Sequence, residues 1–133
     1  MALHRENMQD VPDWGEVLPE GWYHVRVTKG EERDSDNTPG ARVFAMNMTV
    51  QEEPFVGRVI FDPVSLQSHA LAKLKAYYKA AGYTPGPEGH DPEWLVENHA
   101  EFYVQVTHDV YQGQTRMKVA PWGIRSLRDG KPA

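Results

Sequence analysis

Between Trp22 and Val27 two kinds of side chain alternate. Trp22, His24 and Arg26 share one parity and Tyr23, Val25 and Val27 the other, so an extended strand sends a ring, an imidazole and a guanidinium to one face and apolar groups to the opposite face. A flat ring can stack on a nucleobase, worth roughly 1–3 kcal/mol per base, and a basic side chain can neutralise a phosphate. The same residue types recur along the chain. Arg58 leads into a third apolar stretch, Arg116 and Lys118 alternate with Met117 and Val119, and Tyr111 stands in the turn Tyr111-Gln112-Gly113-Gln114. Lys29, Arg33 and Arg42 flank a polar stretch whose acids Glu31, Glu32, Asp34 and Asp36 oppose phosphate. The candidate nucleic-acid-binding set is Trp22, Arg26, Lys29, Arg42, Arg58, Tyr111, Arg116 and Lys118. Each has a structural alternative: Trp22 and Trp122 as packing residues, the strand cations as solubilising groups, and Lys73, Lys75 and Lys79 as a solvated helix face.

Motifs for other chemistry are missing from the sequence. There is no phosphate-cradling glycine loop, paired-histidine helix motif, cysteine or serine elbow. His24, His69, His90, His99 and His108 are scattered, and Asp34-Ser35-Asp36-Asn37 lacks the glycine and closing glutamate of a calcium loop. We therefore expect no enzyme, no metal and no cofactor. Without cysteine, stability must come from packing.

The net charge of −5 over 133 residues disfavours a nucleic-acid partner in sum, but positive charge collects in residues 63–82 and 101–133. Nothing resembles a signal peptide or a membrane span, so the expectation is a cytoplasmic protein with no membrane partner.

The elements that position these residues follow from periodicity. Alternation predicts strands over 20–28, 42–50, 56–62, 101–110 and 115–120, with a polar loop over 29–40. From Ser65 to Gly82 the apolar residues Leu66, Ala70, Leu71, Leu74, Tyr77, Tyr78 and Ala81 fall within an arc of about 140°, predicting five turns of amphipathic helix capped by Ser65 and ended by Gly82. Asp91-Pro92 opens a short second helix, and residues 121–124 are expected to cap or underlie the sheet. The domain reading is a loose arm over 1–19, a folded domain over 20–127 and a frayed end over 128–133.

Three strands, a helix and a two-strand hairpin give the order of an OB-fold: mainly β, a five-stranded partly open Greek-key barrel with the helix between strands three and four. The competing arrangement is an open antiparallel sheet with a helix across one face. On Leu18-Pro19-Glu20-Gly21-Trp22-Tyr23, Pro54-Phe55-Val56-Gly57-Arg58, Leu71-Ala72-Lys73-Leu74-Lys75 and Ala80-Ala81-Gly82, the sequence resembles small bacteriophage OB-fold single-stranded-DNA-binding proteins over roughly residues 18–127. That resemblance implies sequence-nonspecific binding of single-stranded DNA in replication or recombination, in the cytoplasm of a bacterial host, with phage or host replication proteins as further partners. The chain departs from such proteins in lacking an acidic C-terminal tail. An unprotected edge on strand one or strand five would allow a homodimer. The alternative function is an OB-like protein-interaction or assembly module.

Overall fold

The computed structural model describes residues 17–36 and 38–132, with only the backbone of Tyr111, so most of the expected N-terminal arm lies outside the described residues. Five strands, β1 (Gly21–Asp34), β2 (Arg42–Val50), β3 (Val59–Ser65), β4 (Glu101–Tyr111) and β5 (Gln114–Ser126), form one antiparallel sheet in the order β3-β2-β1-β4-β5. Helix α1 (Ala72–Ala81) follows β3 and helix α2 (Glu93–Glu97) precedes β4. The fold is mainly β and barrel-like, with the edge strands β3 and β5 brought towards each other beside α1.

Alternation decides what the sheet encloses. Val25 and Val27, Phe44 through Val50 at every second position, Ile60 and Val64, then Phe102, Val104 and Val106 all lie fully or almost fully buried on one face. Leu74, Tyr77 and Tyr78 of α1 close over them, and Leu18, which lies within the expected loose arm, is instead fully buried in the same core. Each such side chain contributes roughly 1.5–3 kcal/mol by leaving water.

Several elements differ from their expected bounds, among them β5, which runs on through residues 121–124 to Ser126 instead of ending at Ala120. β1 runs through the expected loop to Asp34, because a bulge between Val27 and Lys29 resets its pairing with β2. Gly30 makes that extension possible: a Cβ there would stand 2.4 Å from the Phe44 ring. β3 begins later, at Val59, and continues through Pro63 to Ser65; an edge strand tolerates a proline with no N–H to donate.

The expected five-turn helix is correspondingly shorter. Ser65 pairs with Val43 and the Leu66 amide donates to the Arg42 carbonyl at 3.0 Å, so the sheet claims these residues. The Ser65 hydroxyl accepts from the Gln67 amide at 3.2 Å, a 3-10 turn spans Ser68–Ala70, and the helix proper holds ten residues. Ladder pairing prevails over helix propensity, which is marginal in a short segment. Gly82 does end the helix in the left-handed conformation, at φ 79°.

Lys73 is not part of a solvated face. With 22% of its side chain exposed, its ammonium lies 2.9 Å from Asp62 Oδ2 on β3 and donates to the Val119 carbonyl on β5, also at 2.9 Å. The buried Tyr77 hydroxyl donates to the same Asp62 carboxylate at 2.5 Å. One lysine therefore joins both edge strands to the helix.

The segment expected to fray, 128–133, begins within a 3-10 turn over Leu127–Asp129, and Lys131 lies 2.9 Å from Glu52. Burial alone would push the Glu52 carboxyl up, but the Lys131 ammonium and the His24 backbone N–H together hold it below its ordinary value.

Replacing Lys73 by Met removes one partner of a mostly buried pair, and we expect a loss of about 3 kcal/mol in urea unfolding. Lys73→Met combined with Asp62→Asn is expected to cost less than the sum of the two single changes. Burial, then the Asp62 charge and hydrogen bond, raise the Tyr77 hydroxyl well above its usual pKa. Above about pH 10 an unfolded tyrosine releases its proton while the folded one keeps it, so the unfolded state binds fewer protons and stability falls as pH rises. Tyr77→Phe is expected to flatten that alkaline slope, measured by unfolding at pH values on either side of 10.

Candidate nucleic-acid interface

The face opposite the core is assembled by register across β1, β2 and β3. Lys29 stands opposite Asn47 and Asn47 opposite Phe61, while Arg26, Thr49 and Val59 make a neighbouring row. Because Ile60, Asp62 and Val64 point inward, Val59, Phe61 and Pro63 must point outward. Phe61 is 44% exposed, and the guanidinium carbon of Arg33 lies 5.3 Å from its ring centroid. A groove of about 430 Å³ runs among Lys29, Arg33, Asn47 and Phe61.

This arrangement joins an aromatic ring on β3 to cations on β1, across the intervening β2. Lys29 is exposed, whereas Arg26 is tied to Glu101 at 3.3 Å. Arg33 Nε is buried with no hydrogen-bond acceptor among the described residues, leaving the guanidinium with unmet donor capacity. Glu31, in register with Ala45 and Pro63, places one acid on the same face.

The other candidates are distributed around the molecule. Trp22 is half-buried on the outward side of β1, opposite Gln105, beside a cleft that includes Phe55 and Lys131. Arg42 is exposed at the start of β2 and paired with Asp34 at 2.7 Å, whose hydrogen bond raises the guanidinium pKa further. Arg58 is half-buried before β3, its carbonyl accepting from the Val50 amide at 2.8 Å. Tyr111 ends β4 opposite Gln114. Arg116 and Lys118 are exposed on β5 and face Asp109, at 3.3 Å and 3.7 Å.

Arg26 is opposite Glu101 and Arg116 opposite Asp109, so about 26 Å of β4 separates the two cations along the strand, at roughly 3.3 Å per residue. Arg26 and Lys29 thus belong with Arg33 and Phe61, and Arg116, Lys118 and the backbone of Tyr111 belong to the end of the β4–β5 hairpin.

Two aromatic residues have a different place from the one their sequence context suggests. In the sequence Phe61 is only part of a strand; the signal for it is the parity of Asp62, which sits inward to meet Lys73 and Tyr77 and so turns Phe61 out. Trp122 neither caps nor underlies the sheet. Between Val104↔Ile124 and Val106↔Val119 the longer β5 side bulges, and Trp122 on that bulge is 81% exposed.

The sequence matches no protein-family model and has no significant match among curated proteins.

The hairpin offers a direct check of its local electrostatics. Hydrogen bonding and attraction from Arg116, with a smaller contribution from Lys118, hold the Asp109 carboxyl below its ordinary value despite opposing desolvation. A carbon-detected NMR titration is expected to place the Asp109 midpoint below that of an unpaired aspartate, and Arg116→Ala is expected to move it upward.

Proposed function

We propose that the outer face of β1–β3 binds single-stranded DNA with little sequence preference, in DNA replication or recombination of the phage type. The observation that carries this reading is the exposed Phe61 ring in one cross-strand row with Lys29 and beside the Arg33 guanidinium. A base stacks on the ring while the neighbouring cations meet the backbone phosphates, an arrangement indifferent to base identity. Strand order supports an OB-type Greek-key assignment: β1 lies between β2 and β4, the helix falls between β3 and β4, and β3 faces β5 across the remaining gap. Strands β1 to β3 then supply the type of surface that such barrels use for oligonucleotides.

The test is fluorescence anisotropy of a labelled thymine oligonucleotide. Binding is expected to weaken between about 50 and 200 mM salt, with a logarithmic slope of about −0.7 per phosphate neutralised. Phe61→Ala is expected to weaken binding by about 1–3 kcal/mol, and Lys29→Ala to reduce the salt slope by about 0.7. Unchanged anisotropy throughout would overturn the reading. It would favour the second one, an interaction module for proteins, for which the exposed Trp122 is the specific observation because tryptophan is enriched at binding hot spots.

A further inference from the structure

On another side of the molecule α1 and the segment that follows it enclose a groove of about 630 Å³, within the range of about 300–1,000 Å³ usual for ligand sites. Leu71, Leu74, Tyr78, Tyr83 and Pro85 give it apolar walls. These walls are braced from behind. Tyr78 Oη lies 2.7 Å from His90 Nδ1, the Tyr83 hydroxyl accepts from the Asp91 amide at 3.1 Å, and Tyr83 stacks on Trp94 with centroids 4.8 Å apart. A groove held open by hydrogen bonds and stacking requires little ordering when a ligand enters.

Its charge is selective. Lys75 and Lys79, one helical turn apart, line the groove; both are exposed, and neither forms an ion pair among the described residues. Among the described residues no acid lines it. The nearest acids in sequence are Glu88 and Asp91, and the Asp91 carboxylate is engaged by the Glu93 amide at 3.0 Å. The walls suit branched side chains better than a flat base, since one face of Tyr83 is already covered by Trp94.

We infer that this groove docks an acidic peptide segment of a partner protein, its aliphatic side chains seated on Leu71, Leu74 and Pro85 and its carboxylates at Lys75 and Lys79. The groove residues are separate from the Phe61 face, so the inference stands or falls independently of nucleic-acid binding. Hydrophobic seating supplies the affinity, and the two lysines supply selection by charge and raise the rate of encounter.

The probe is a fluorescein-labelled octapeptide alternating aspartate with leucine, titrated by anisotropy into the full chain, beside an analogue with asparagine for aspartate. Saturable binding of the acidic peptide is expected, about tenfold tighter than the asparagine analogue, with a comparable loss in Lys75→Glu/Lys79→Glu. Both substituted lysines are exposed, and an unchanged melting curve for the variant ties the loss to the groove. Leu71→Asp is a second variant, expected to weaken the peptide while oligonucleotide anisotropy stays as in the parent chain. The inference is overturned by no saturable binding to the parent chain, by equal binding of the two peptides, by unchanged binding in the lysine variant, or by loss of the peptide in Phe61→Ala.

Discussion

The contact on which the rest of the structure depends is that of Lys73 with Asp62 and the Val119 carbonyl. An antiparallel sheet that curls without closing leaves backbone groups unsatisfied along its two outer strands, and those strands must be held together by something other than a continuous ladder. Here the helix does it. An ammonium group supplies donors to a carboxylate on β3 and a carbonyl on β5, and a tyrosine one turn later donates to Oδ2 of the same carboxylate. The inward orientation of Asp62 sets the phase of β3, and that phase turns Phe61 outward. The helix junction and the candidate binding face are therefore two results of one pairing.

Much of this fold was legible from alternation. The parity of Tyr23, Val25 and Val27, and of Phe44, Met46, Met48 and Val50, matches the buried face, and Gly82 marks the end of the helix. Elements depart from the local pattern where tertiary pairing overrides it. The bulge after Val27 shifts the phase of β1, so 29–34 no longer reads as a continuation of the preceding strand. Pro63 reads as a terminator, yet on an edge it interrupts nothing. Ser65 and Leu66 satisfy a helical stripe and a strand equally well, and only their bonds to β2 decide between them.

The candidate interface was legible in its cations Arg26 and Lys29 but not in Phe61, and less so by grouping. Arg26 and Lys29 lie on the same outward side of β1, but Arg116 and Lys118 belong to a distant hairpin end, a separation that depends on strand registers which sequence spacing does not encode. Lys73 illustrates the same limit. Its helical angle is that of a surface residue, and its length lets the charged group reach inward to a partner eleven positions earlier. The apolar arc of the helix, by contrast, marks Leu74, Tyr77 and Tyr78 as the buried stripe they form, while the groove that Leu71, Leu74 and Tyr78 also line is set by the segment folded back beside it.

The unequal lengths of β1 and β4 have a mechanical consequence. β1 pairs with β4 only as far as Gly21 opposite Val106, while the β4–β5 ladder continues to Tyr111 opposite Gln114. Beyond Val106 no third strand pairs with the hairpin among the described residues, and its tie to the rest of the molecule is His108, whose amide donates to Glu20 Oε2 at 2.8 Å and whose Nε2 lies 2.6 Å from the Leu18 carbonyl; the bulge carrying Trp122 separates this ladder from the rest of β5. Two-stranded ribbons are marginally stable by themselves. Past His108 the hairpin end from Asp109 to Arg116 can consequently open by itself, exchanging its amide hydrogens through local fluctuations while the part of the sheet anchored by His108 and Lys73 stays shut.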